Sequence, residues 1–127
     1  MELEHISIYT DDLEQLKQFY VRYFSGKSNE KYKNLKTGLE TYFITFDGGA
    51  RLELMQKPGL SDRDRTVQSY GLSHLAFQTG SREKVEELTT ILVNDGYQLK
   101  SRPRETGDGY YESCILDPDG NEVEITA

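Results

Sequence analysis

Two histidines occur in the chain, His5 and His74, and both sit in the same local pattern. Leu3-Glu4-His5-Ile6-Ser7-Ile8-Tyr9-Thr10 and Leu72-Ser73-His74-Leu75-Ala76-Phe77-Gln78-Thr79 each read apolar, x, His, apolar, x, apolar, x, Thr, 69 positions apart. Two glutamates recur in the same way. Phe43-Ile44-Thr45-Phe46-Asp47-Gly48-Gly49-Ala50-Arg51-Leu52-Glu53-Leu54 aligns with Cys114-Ile115-Leu116-Asp117-Pro118-Asp119-Gly120-Asn121-Glu122-Val123-Glu124-Ile125, 71 positions on, and each stretch ends in apolar-Glu-apolar. Neutral imidazoles and ionised carboxylates are the donors that borderline divalent ions such as Zn²⁺, Ni²⁺, Co²⁺, Mn²⁺ or Fe²⁺ accept. Two carboxylates would balance the charge of such an ion, whereas without it they would repel and one pKa would rise. A single His on a strand is more often packed or hydrogen-bonded than ligating, and a single Glu is usually solvated. Solvation gives no reason for all four to recur in register, so His5, Glu53, His74 and Glu124 are the expected metal ligands.

These residues need elements to hold them, and the repeat supplies two copies of one unit of roughly 55 residues, as expected of internal duplication. Unit 1 spans about 1–57, a connector about 58–70, and unit 2 about 71–127. The connector carries Pro58-Gly59 and the mixed-charge Ser61-Asp62-Arg63-Asp64-Arg65, which reads as exposed chain. Each copy opens on an alternating strand, 3–9 or 72–78, with the period of a half-buried strand. A helix follows, capped by Asp12 with Gln15 in the first copy and by Ser81 in the second. Leu16, Phe19 and Tyr23 form one apolar face, and Val85, Leu88 and Leu92 the other. Gly26 and Gly96 fall where helices end in a left-handed residue. A short strand (about 27–32; about 97–101) precedes a hairpin, 41–46 with 50–56 and 110–116 with 121–126, around Asp47-Gly48-Gly49 and Asp117-Pro118-Asp119-Gly120. The segments 34–40 and 103–109 read as loops. The expected fold class is α+β, two tandem βαβββ units within one domain.

Alternation then assigns faces. Ile6 and Ile8, Leu75 and Phe77, Leu52 and Leu54, and Val123 and Ile125 point toward the helices, leaving His5, His74, Glu53 and Glu124 on the uncovered side. Tyr9 shares His5's face and Arg51 shares Glu53's.

Composition narrows the partners. The 127 residues carry 15 basic and 22 acidic side chains, a net charge of −7, with a pI near 4.8. That argues against nucleic acid or an anionic membrane, both of which call for a basic patch. Nine Tyr and five Phe argue against disorder. The single Cys114 forms no internal disulfide and fits a reducing, cytoplasmic setting. The N-terminus lacks a basic n-region and an apolar h-region, and no apolar run approaches the roughly 20 residues of a membrane span.

The His5 and His74 strands, Phe19-Tyr20 on the first helix and the closing Asp117-Pro118-Asp119-Gly120-Asn121-Glu122-Val123-Glu124-Ile125 resemble the glyoxalase/bleomycin-resistance/extradiol-dioxygenase (vicinal oxygen chelate) superfamily over essentially the whole chain. The resemblance implies paired βαβββ units forming a U-shaped, partly open β-cleft around one divalent metal, with helices on the outer face. By position, His5, Glu53, His74 and Glu124 match the ligand set of its lyase and isomerase members, of which lactoylglutathione lyase is the nearest type. The ion would polarise a substrate carbonyl or hydroxyl while Glu124 or Glu53 moves a proton between adjacent carbons; either can serve as the base. Glutathione-using members usually carry an Arg where Tyr9 stands, and their Leu-Gly after Phe-Tyr is replaced by Phe24-Ser25-Gly26, so the substrate stays open. Tyr9 would line the site, and Arg51, Arg102 and Arg104 are candidates to grip an anionic small molecule, with solvated surface arginine the competing account. Tyr110 and Tyr111 follow Gly107-Asp108-Gly109 and could form a flap or pack at a rim. Cys114 aligns with Phe43 and reads as a buried structural thiol.

Two other functions compete. A non-haem Fe²⁺ dioxygenase would use His5, His74 and Glu124 as a facial triad, and Glu53 counts against it by filling a position that O₂ or substrate needs. A metal-free module that sequesters an antibiotic or metabolite gives four ligand-type residues no reason to recur. A homodimer is expected, because two small units leave sheet edges to cover.

Overall fold

Residues 1–64, 67 and 69–127 of the computed structural model are described here, and they divide into two compact units, Met1–Arg63 and Asp64–Ala127. The boundary falls inside the expected connector, whose residues 65, 66 and 68 lie outside the described residues. Unit 1 runs β1 (His5–Tyr9), α1 (Leu13–Tyr23), β2 (Lys27–Ser28), β3 (Tyr32–Lys33), β4 (Glu40–Thr45) and β5 (Arg51–Gln56). Its sheet has the order β1-β5-β4-β2, with β3 also on β4. Unit 2 runs β6 (His74–Gln78), α2 (Arg82–Asn94), β7 (Leu99–Glu105), β8 (Tyr111–Leu116) and β9 (Glu122–Thr126), in the order β6-β9-β8-β7. In each unit the first strand is parallel to the last and forms a sheet edge, while the hairpin and the strand before it are antiparallel. This is an α+β chain of two tandem βαβββ units.

The helices start where their caps dictate. Asp12 accepts the Gln15 amide at 3.0 Å and Ser81 Oγ accepts the Lys84 amide at 3.3 Å, each satisfying an amide that has no partner within the helix. The C-termini differ. Gly96 takes φ +94° and lets the Tyr97 amide return to Leu92 O at 3.0 Å, as expected. In α1 the left-handed residue is Ser25, φ 55°, one position before Gly26. Gly26 is required for a different reason: a Cβ there would lie 2.5 Å from Ile44 Cγ2 and 3.0 Å from Tyr20 O.

Leu13, Leu16, Phe19 and Tyr20 of α1 pack on Tyr42, Ile44, Leu52 and Leu54, all buried. Val85, Thr89 and Leu92 of α2 pack on Ser113, Ile115, Val123 and Ile125. The expected faces are therefore rolled slightly: Tyr20 and Thr89 are buried, while Tyr23 and Leu88 are only half-buried. Tyr20 and Tyr42 occupy the repeat positions of Thr89 and Ser113. Where unit 1 fills its core with rings, unit 2 joins two hydroxyls at 2.6 Å, and Thr89 Oγ1 also bonds Val85 O at 2.6 Å. Buried hydroxyls so paired avoid the cost of an unmet polar group.

Several strand boundaries moved, with β1, β6 and β7 beginning at His5, His74 and Leu99, two residues later than expected. The strand expected at 27–32 is split into β2 and β3, because the Asn29 side chain accepts the Phe43 amide at 2.8 Å and replaces a backbone carbonyl in the ladder. Glu40 belongs to β4 rather than the preceding loop. β7 extends through Pro103 to Glu105, into the segment read as loop; β7 is an edge strand with register shifts on either side of Ser101, where a residue without an amide hydrogen is tolerated. In addition, α1 lies over β2, β4 and β5, and α2 over β7, β8 and β9. Ile6, Ile8, Leu75 and Phe77 on the edge strands are consequently half-buried instead of covered.

One ionic network ties α1 to its sheet. Glu14 accepts from Lys17 (2.8 Å), Lys31 (2.7 Å) and the Tyr42 hydroxyl (2.9 Å). Lys17 first, then Lys31, hold its carboxyl down at about 2. A carboxyl lowered in the folded state contributes stability above its unfolded pKa near 4.5 and loses it as pH falls toward 2. Glu14→Gln should therefore destabilise the protein at pH 7 by about 1 kcal/mol or less, since half-exposed pairs are screened, and the difference from wild type should vanish near pH 2. Urea denaturation across that pH range measures it.

Candidate functional site

The face of each sheet opposite its helix carries the repeated residues. Strand β1 alternates so that His5, Ser7 and Tyr9 are exposed, and its parallel register sets Arg51, Glu53 and Met55 beside them. His5 Nε2 lies 3.7 Å from Glu53 Oε2. In unit 2, His74, Ala76 and Gln78 stand beside Glu122, Glu124 and Thr126, and His74 Nε2 lies 3.2 Å from Glu124 Oε2. Both glutamates are the more buried partner of their pair. The structure thus joins the four expected ligands as two His–Glu pairs, one within each unit. Among the described residues no group of three or more His, Cys, Asp or Glu forms a metal cage.

The other imidazole nitrogen is engaged in both units, and by the same sequence position. His5 Nδ1 bonds the Glu4 carboxylate, and His74 Nδ1 lies 3.3 Å from Ser73 Oγ. A partner at Nδ1 fixes ring orientation and presents Nε2 to an ion, as ligating histidines generally require. Two ligands about 2.1 Å from one ion at angles of about 90–120° are about 3.0–3.6 Å apart. The unit 2 pair, at 3.2 Å, lies within that span and the unit 1 pair, at 3.7 Å, just beyond it; imidazole nitrogen and carboxylate oxygen are the donor types that a divalent ion accepts.

Around His5, Phe43 meets the imidazole edge-on at 5.5 Å between centroids, and the Arg51 guanidinium lies 4.2 Å over the Phe43 ring. Arg51 also pairs with Glu4. The His5 ring, with Arg51 behind it, holds the Glu4 carboxyl below the usual carboxylate range. Tyr9 is exposed on the same face, with Lys57 5.0 Å over its ring.

Around His74 the open face is polar. Lys100 pairs with Glu122, which raises the lysine's pKa. Glu112, little exposed, has its carboxyl pushed up first by burial and then by Glu124, against the opposing Arg104 at 3.9 Å. Cys114 is buried, its thiol pushed up to about 11 chiefly by burial, which fits an inert structural thiol.

The remaining candidates divide. Arg102 is exposed on β7, and Arg104 bonds Ser101 Oγ at 2.9 Å. Tyr111 points to the helix side, where its hydroxyl bonds Glu86 and Arg82 lies 4.7 Å over its ring, so it does not join His74. Tyr110 is exposed in a β7–β8 turn closed by Thr106, whose amide bonds Tyr110 O at 2.8 Å. Sequence reasoning missed Glu4, Ser73, Ser7, Phe43 and Glu112. Phe43 and Glu112 were readable from period-two alternation on β4 and β8, and Glu4 and Ser73 from asking what would hold each Nδ1.

The sequence model of the Glyoxalase/Bleomycin resistance protein/Dioxygenase superfamily matches residues 2–125. The chain belongs to that superfamily. It is 31% identical over 124 residues to the uncharacterized protein YwkD of Bacillus subtilis (97% of this chain, 94% of YwkD), and 29% identical over 130 residues to YqjT of the same organism (98% of each). Its fold matches glyoxalase I from Zea mays with a TM-score of 0.81 at 20% identity, covering 98% of this chain and 44% of the maize chain. This superfamily member therefore spans under half of that enzyme, and the likeness is one of fold.

Proposed function

We propose that the chain is a metal-dependent lyase or isomerase of the glyoxalase type, moving a proton between adjacent carbons of a small molecule. The observation that supports this best is the duplicated arrangement in which Nδ1 is taken by the preceding residue and Nε2 is turned to a glutamate. His5, Glu53, His74 and Glu124 are the donors of one ion, drawn from one chain or from two copies. When bound, a divalent ion supplies Lewis-acid polarisation of a substrate oxygen. A carboxylate oxygen of Glu53 or Glu124 takes the proton from carbon and returns it to the neighbouring carbon. Tyr9 and Arg51 flank His5 on the same face and orient the substrate, with Arg102 and Tyr110 on unit 2 completing its contacts. The protein works as a cytoplasmic homodimer, for which the edge positions of β1 and β6 give a physical motive.

Elemental analysis of untagged protein tests the reading. About one divalent ion per set of four donors is expected in the wild type, and a loss of at least about tenfold in occupancy in His5→Ala and Glu124→Ala. A wild type without bound metal, and unable to take up Zn²⁺, Ni²⁺ or Co²⁺, would refute it. Deuterium exchange at a substrate carbon then identifies the lyase or isomerase chemistry, whereas oxygen uptake without exchange contradicts it.

A further inference from the structure

The two His–Glu pairs are equivalent in register, and besides their different Nδ1 partners, Glu4 and Ser73, they differ at the strand neighbour of each glutamate. In unit 1 the strand partner of Glu53 is Ser7, and in unit 2 the strand partner of Glu124 is Ala76. The Ser7 hydroxyl donates to Glu53 Oε2 at 2.5 Å, and this is the oxygen that faces His5 Nε2. Ala76 has no hydroxyl to offer Glu124. Ser7 lies between His5 and Tyr9 on the open face of an edge strand, where its side chain packs into no core, so burial does not account for a hydroxyl there.

We propose that Ser7 is a positioning residue that holds the Glu53 carboxylate beside His5 and so prepares the unit 1 pair for a cation. The inference rests on the metal reading above. A free glutamate on a strand samples several rotamers and loses that freedom on binding an ion. A hydroxyl bonded to one oxygen removes part of that loss in advance and leaves the second oxygen and the remaining lone pair of the first for the ion. Outer partners of ligating carboxylates typically account for about 10–100-fold in metal affinity. The unit 1 pair is thus the ordered half of the donor set, held at Nδ1 by Glu4 and at Oε2 by Ser7. The Glu124 carboxylate receives no corresponding hydroxyl from its strand partner.

The test measures Zn²⁺ affinity of the full chain by competition with a chromophoric chelator, and the visible spectrum of the Co²⁺-loaded protein, for wild type, Ser7→Ala and Ser7→Thr. The expected result is a Zn²⁺ dissociation constant raised about tenfold or more in Ser7→Ala with an altered Co²⁺ spectrum, and both restored in Ser7→Thr, which keeps the hydroxyl. Circular dichroism of Ser7→Ala should match the wild type, as an exposed position allows. If the wild type binds Zn²⁺ and Ser7→Ala binds it equally with an unchanged Co²⁺ spectrum, the positioning role is overturned and the metal reading stands. If the wild type binds neither ion, the metal reading falls and takes this inference with it.

Discussion

Gly26→Ala is expected to lower stability by about 1–3 kcal/mol, the usual range for overpacking a well-packed core. The added Cβ would sit 2.5 Å from Ile44 Cγ2, 3.2 Å from Phe46 Cε1 and 3.0 Å from Tyr20 O. None of these is the free end of a long side chain. Ile44 is fully buried and β-branched, and Tyr20 O accepts the amides of both Phe24 and Gly26 at 3.3 and 3.2 Å. Moving the carbonyl away would loosen the end of α1, and moving Ile44 would shift β4 where it meets α1 and β5. Gly96 presents the opposite case: nothing lies within 4 Å of a Cβ there, and a side chain would meet only the strain of φ +94°. Thermal and urea unfolding of both variants should rank Gly26→Ala as clearly the more damaging. Equal losses would mean that the close approach to Ile44 and Tyr20 O is relieved by small shifts and costs no more than the φ +94° strain at Gly96.

That contrast shows which parts of the fold were legible. Two glycines in equivalent sequence positions read alike, yet one serves backbone conformation and the other clearance. Clearance depends on how closely α1 approaches β4, a tertiary quantity that no local pattern carries. Strand alternation was legible because period two is intrinsic to the backbone, and it correctly set His5, Glu53, His74 and Glu124 on the uncovered faces. Strand ends were less legible where side chains substitute for backbone, as Asn29 does in splitting β2 from β3. Pro103 suggested a loop because its edge position was unknown, and at an edge its missing donor costs no ladder bond. At the repeated histidines and glutamates, residue identity and face could be read, but the neighbours that hydrogen-bond each side chain could not. Ser7 and Ala76 look like an ordinary small-residue variation until the parallel register sets them opposite Glu53 and Glu124.

Asp117→Ala is expected to cost about 2–4 kcal/mol and to disturb the unit 2 pair without touching it. Asp117 is buried, and its carboxylate closes the β8–β9 turn by accepting the Asp119 amide at 3.0 Å, the Asn121 amide at 2.8 Å and the Asn121 side-chain amide at 2.9 Å. The backbone adds a bond from Gly120 N to Asp117 O, and Gly120 takes φ +75°. Removing the carboxylate leaves three donors without this acceptor, each worth about 1–3 kcal/mol where water cannot replace it; partial exposure of the turn brings the total to the lower end of their sum. The turn also fixes the hairpin's register, pairing Cys114 with Glu124 and Leu116 with Glu122. Slippage by one residue would carry Glu124 to the helix side and Val123 to the open face. Asp117→Ala should therefore lower both the unfolding midpoint and the occupancy of divalent metal, whereas Glu124→Ala should lower occupancy alone. If Asp117→Ala unfolds earlier yet binds metal as the wild type does, the turn stabilises the hairpin without setting the glutamate's face, and register is enforced by Val123 and Ile125 in the core.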